Sequence, residues 1–259
     1  YPGMRNLHVT LLRSSLLLSA LSLAFLPACD PDASNDDEAD TADEGGDGDG
    51  DGDGDCTALV QEDVDADVTL QAGCYTADAL LAIDGTTLTL DAGVSIRFGE
   101  FGGLSVFGTG ALEANGTADD AVELRASSGT WMGLTVLGGS ASLTNVELSG
   151  AGTMDSAALT VSADGEATIA DSLVDGNDGA AFSIDGLSNL TLDTSTVSNN
   201  GAIGSVPFFT LDSIAADNLF EDNDTNILGV SGSSVDANLT IPAHGVPLLI
   251  EQGSVTVTA

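Results

Sequence analysis

Apolar residues recur at every second position over short runs, and the runs fall into three series. "GLSV" (Gly103–Val106), "GLTV" (Gly133–Val136), "ALTV" (Ala158–Val161), "AFSI" (Ala181–Ile184) and "FFTL" (Phe208–Leu211) form the first. "TLTL" (Thr87–Leu90), "ALEA" (Ala111–Ala114), "ASL" (Ala141–Leu143), "ATI" (Ala167–Ile169) and "LTL" (Leu190–Leu192) form the second. "VSIR" (Val94–Arg97), "VELR" (Val122–Arg125) and "VEL" (Val146–Leu148) form the third. Period two is the signature of strands with one face buried, and Gly, Asp, Asn and Ser between the runs are turn formers. The alternation predicts Leu134, Val136, Leu159 and Val161 pointing inward and Thr135 and Thr160 outward.

The series repeat. "IADSLVDGN" (Ile169–Asn177), "LDTSTVSNN" (Leu192–Asn200) and "AADNLFEDN" (Ala215–Asn223) start 23 residues apart, each with an apolar sixth residue and Asn at the ninth. A fixed interval of this length marks stacked structural repeats. Three short strands per repeat predict an all-β solenoid of about 23 residues per coil. Stacking also gives Asn177, Asn200 and Asn223 a role. An amide carries donor and acceptor, so a column of inward amides can satisfy itself along the axis. Leucine-rich repeats share this length, but they need an apolar residue at the fourth position, where this chain has Ser172, Ser195 and Asn218.

"TTLTLDAGVSIRFG", "GLSVFGTGALEANGTADDAVELRAS" and "WMGLTV" together resemble the right-handed parallel β-helix of the pectin-lyase-like proteins of bacterial envelopes. The resemblance implies that fold from about Val68 onward. It leaves activity open, because one fold hosts many functions. "IEQGSVTVTA" from Ile250 echoes "AIDGTTLTLDAG" from Ala82, so the opening motif is expected to restart near residue 239, in a second block cut short by the end of the sequence.

Ahead of the repeats, residues 4–28 read as a lipoprotein signal peptide. Arg5 and Arg13 are followed by the apolar run Leu16–Leu26 and then "LPAC". That ending resembles the bacterial lipobox, and the resemblance implies that Cys29 is acylated and anchors the chain stably. Residues 29–55 are expected to be a disordered tether: half of Asp30–Asp55 is acidic and none of it is basic or aromatic. Asp47, Asp49 and Asp51 mimic the start of an EF-hand loop, but Ala58 stands where the bidentate Glu belongs. Residues 56–259 are then one domain.

The net charge of −37, with no Lys and with Arg97 and Arg125 as the only cationic residues after Cys29, excludes nucleic acid as a natural partner. Cys56 and Cys74 in an exported chain predict one disulfide. Arg97 and Arg125 follow similar strands and are expected as neighbours. In a lyase they would be the candidate bases; the simpler expectation pairs them with Glu100, Glu123 or Asp120. His244 lies in a turn with no catalytic company, and Trp131, just before a strand, is expected to pack. Outward hydroxyls are expected on one sheet at Ser105, Thr135, Thr160, Ser183 and Thr210, and on another at Thr89, Ser142, Thr168 and Thr191.

The expectation for function is a non-catalytic, lipid-anchored protein of the bacterial cell envelope, at the outer membrane or cell surface. It has no cofactor or metal, and it meets carbohydrate or another surface protein. The alternative is a polysaccharide lyase or glycoside hydrolase.

Overall fold

The computed structural model describes residues 56–152, 156–232 and 240–251. The signal-peptide and tether readings, Cys29 and most of the C-terminal echo lie outside them. The described chain is the parallel solenoid that the spacing predicts, with three sheets wound about one core. Sheet one has eight strands: Leu80–Asp84, Gly103–Phe107, Leu134–Leu137, Ala157–Ser162, Ala180–Ile184, Ala202–Pro207, Thr225–Ser231 and Leu248–Ile250. Sheet two has six: Val68–Leu70, Thr87–Asp91, Ala111–Asn115, Ser140–Thr144, Glu166–Ala170 and Asn189–Asp193. Sheet three has eight: Thr57–Ala58, Gly73–Ala77, Val94–Phe98, Val122–Ala126, Val146–Ser149, Leu173–Asp175, Thr196–Ser198 and Leu219–Glu221.

Register converts the three sequence series into columns. Leu104, Leu134, Leu159 and Phe182 are successive partners in sheet one. Leu90, Ala114, Leu143, Ile169 and Leu192 are partners in sheet two, and Ile96, Leu124, Leu148, Val174, Val197 and Phe220 in sheet three. All of these are buried. Each inward position therefore meets its own kind one coil above and below, which is why a period-two pattern suffices to build the core. Trp131 is also inside, stacked on Phe98 with ring centroids 4.1 Å apart, its indole N–H donating to the Ser149 carbonyl at 2.8 Å.

The coil of about 23 residues holds with scatter: the offset between partners is 18 at the first step (Thr57 to Tyr75), 23 from Leu81 to Leu104, 30 from Leu104 to Leu134 and 23 from Val174 to Val197. Corners absorb these differences while the strands keep register. The correction concerns "FFTL". Phe208–Ser213 is a 3₁₀ segment, and the sheet-one strand of that coil is Ala202–Pro207. Pro207 supplies no N–H and ends the strand. Thr210 is consequently buried rather than outward. Sheet two survives in this coil only as the bridge between Leu192 and Ile214.

The N-terminal edge is closed by a cap that no repeat announces. Gln61, in the 3₁₀ turn Gln61–Asp63, accepts from the Ala82 N–H and donates to the Ala82 carbonyl, both at 2.7 Å. Its side-chain amide thus stands in for the peptide unit of a missing strand. Leu59 and Val64 cover the first coil, and Cys56 is bonded to Cys74 with Cα atoms 4.7 Å apart. An edge strand left open would template pairing with another chain. Reducing the disulfide is expected to cost about 3 kcal/mol by loop-closure entropy. In hydrogen exchange, the loss falls on residues 56–84 of the reduced protein, while the later coils keep their protection.

Candidate functional site

The inward corners carry the most specific chemistry. Asn177, Asn200 and Asn223 lie on consecutive coils just past strands of sheet three, and all are buried. Asn177 Nδ2 donates to Asn200 Oδ1 at 2.7 Å, and Asn200 Nδ2 donates to Asn223 Oδ1 at 2.9 Å. The same oxygens accept the backbone N–H of Asn177 (3.2 Å) and of Asn200 (3.0 Å). The second amide hydrogens go to the carbonyls of Leu148, Val174 and Val197. The column ends upstream where Asn177 Oδ1 accepts from the Ala151 N–H at 2.7 Å. Each turn needs inward-bent backbone, and Gly176, Asn199 and Asp222, one residue earlier, provide it at φ of 62°, 53° and 53°.

A second column, at the opposite end of the same strands, is made by residues that entered the sequence reading only as a departure from leucine-rich repeats. The Val146 N–H donates to Ser172 Oγ (3.0 Å), the Ser172 N–H to Ser195 Oγ (3.1 Å) and the Ser195 N–H to Asn218 Oδ1 (2.9 Å). Ser172 and Ser195 return their hydroxyl protons to the Ala170 and Asp193 carbonyls at 2.7 Å. The signal that could have found them was present: the same 23-residue interval, at the fourth position rather than the ninth.

Outside, Arg97 and Arg125 are partners in register on sheet three. Arg125 Nε lies 3.4 Å from Glu123, whose carboxylate also accepts from Ser95 Oγ at 2.9 Å. The outward column of sheet two runs Thr69, Thr89, Glu113, Ser142, Thr168, Thr191. That of sheet one runs Ala82, Ser105, Thr135, Thr160, Ser183, Ser205, Gly229. Ser105 is buried there, and Thr135, Thr160, Ser183 and Ser205 are half-buried. His244 is buried, and desolvation lowers its pKa. Among the described residues, no group of three or more His, Cys, Asp or Glu is placed to hold a metal ion.

Open grooves among the described residues include two on the outer surface. One, of about 560 Å³, crosses the outer face of sheet one over Ala180, Ala202, Gly204 and Gly229. The other, of about 480 Å³, follows a corner past Asn145, Glu147, Asp171 and Thr194. Neither contains Arg97, Arg125 or His244. No family model, no curated protein and no solved structure matches the chain.

Proposed function

We propose that this chain is a non-catalytic, lipid-anchored protein of the bacterial cell envelope, a pectin-lyase-like β-helix held at the outer membrane or cell surface through Cys29. Its work is to present a rigid acidic solenoid for surface structure, adhesion or ligand binding, with carbohydrate or another surface protein as partner. The observation that carries the reading is the pair of buried polar columns flanking the strands of sheet three. Each closes its hydrogen bonds from coil to coil, which stiffens a scaffold and leaves the outer faces free to vary. The lipobox resemblance at "LPAC" and the acidic stretch Asp30–Asp55 support anchoring and spacing. The alternative, a polysaccharide lyase or glycoside hydrolase, draws on the register pairing of Arg97 with Arg125. Arg125 is engaged by Glu123, and that favours a structural ion pair over a base.

The test is metabolic labelling in a bacterial host with an alkyne fatty acid, comparing the full chain with Cys29→Ala. The chain is expected to take up label and to sediment with membranes. Cys29→Ala is expected to lose both properties while keeping the melting temperature of its folded domain. Equal partitioning of the two forms, or cleavage of uronate polysaccharide lost in Arg97→Ala, would overturn the proposal.

A further inference from the structure

Charge is distributed unequally over the three faces. The strands of sheet three carry Arg97, Glu123, Arg125, Glu147, Asp175 and Glu221, and those of sheet two carry Asp91, Glu113, Glu166 and Asp193. The eight strands of sheet one hold a single charged residue, Asp84, at the end of the first strand; Glu251 follows the last. A chain of net charge −37 thus keeps the body of one whole face neutral. Among strand residues, that face also holds most of the exposed aliphatic side chains: Leu80, Ile227 and Leu249 are 40, 37 and 52 % exposed, beside Leu248 and Ile250, against Leu219 on sheet three.

We infer that the outer face of sheet one is an interface with a second copy of this chain. Area, self-complementarity and charge select that occupant. The first is area. Eight strands about 4.8 Å apart and about five residues long make a face of roughly 600 Å², so a pair buries about 1,200 Å², the lower bound for specific association. The second is self-complementarity, which a two-fold interface requires. Ile227 and Leu249 line a groove together with Ala180, Ala202 and Gly204, closed at one end by the Glu251 carboxylate over Gly229, so knob and hole lie on the same patch. The third is charge. Joining the neutral faces brings few charges together across the strands themselves; Asp84, Asp178, Asp185, Asp224 and Glu251 lie at the strand ends, where salt, with a Debye length of about 8 Å at physiological strength, screens them. A membrane surface fits less well, because the strands of this face offer no Lys, Arg, Trp or Tyr as an interfacial anchor.

The experiment uses the full chain carrying Cys29→Ala, which removes both the lipid site and a competing thiol, so that its outcome is independent of anchoring. Single cysteines are placed at Ser183, on the proposed interface, and at Thr191, outward on sheet two. Mild oxidation is expected to give a covalent dimer for Ser183→Cys and monomer for Thr191→Cys. Sedimentation is expected to give the mass of two copies, with association strengthening as salt screens the repulsion between copies. Ser205→Arg is expected to reduce the mass to one copy at an unchanged melting temperature. Thr160→Arg repeats this test if Ser205→Arg does not fold. A single-copy mass for the parent at every salt concentration overturns the inference, as does equal cross-linking at the two positions. Monomer that binds uncharged phosphatidylcholine vesicles through this face also overturns it, in favour of a lipid surface.

Discussion

Asn200→Leu is expected to lower the unfolding free energy by about 4 kcal/mol. The cost is that of the buried groups the substitution strands. Asn200 Oδ1 accepts two hydrogen bonds, from the backbone N–H and from Nδ2 of Asn177, and Asn200 Nδ2 donates to the Val174 carbonyl and to Asn223 Oδ1, which keeps the Asn200 backbone N–H. These partners sit inside the solenoid, where no water replaces the lost amide, and each group left orphaned costs about 1–3 kcal/mol. Leucine brings apolar volume in return, and this offsets part of the sum. Thermal denaturation should show a drop of roughly 8–16 °C for a domain of this size. The neighbouring Asn199 is the internal control. It is exposed, sits at φ 53° and donates to the Asp175 carboxylate. Asn199→Gly keeps the left-handed turn and is expected to shift stability by less than about 0.5 kcal/mol. Adjacent asparagines thus separate a buried column from ordinary turn chemistry.

Gly204→Ala is expected to cost about 3 kcal/mol or more, as a side chain meets backbone that cannot retreat. Gly204 has φ 102°, and a β-carbon at this position would fall on the carbonyl oxygen of Phe182 in the preceding strand. The strand is irregular at this point, its register with Thr225–Ser231 shifting between Ala202 and Gly204. Backbone strain and steric overlap therefore act together. Gly186 separates the two effects. It has φ 59°, and a β-carbon there would meet no atom within 4 Å, so Gly186→Ala carries strain alone, about 1 kcal/mol. Urea denaturation of both variants checks the difference. Equal midpoints would mean that the close approach at Gly204 relaxes without penalty.

Much of the architecture is legible in the sequence, for a physical reason. In a stacked fold the same corner recurs, so a residue that solves a local problem once tends to solve it on every coil. The period-two runs mark the strands, and the fixed spacing of Asn177, Asn200 and Asn223 marks the axis. Legibility ends where repetition ends. Gln61 closes the first edge by a contact made only once, so no periodicity reports it. "FFTL" has the composition of its neighbours in series but follows Pro207, and the local backbone constraint outweighs the pattern. The column through Ser172, Ser195 and Asn218 is periodic yet mixed in residue type, since hydroxyl and amide oxygens both accept a backbone N–H. The neutral face of sheet one needs the structure, because charge segregation is visible only once strands are assigned to sides.

The most direct test of stacked coils with closed polar columns is hydrogen exchange of the side-chain amides of Asn177 and Asn200, resolved by NMR. Their Nδ2 protons are expected to exchange as slowly as the backbone amides of the neighbouring strands, because only opening of the solenoid exposes them. Exchange at the rate of a solvent-exposed asparagine would contradict the columns and the superposition of coils on which they rest.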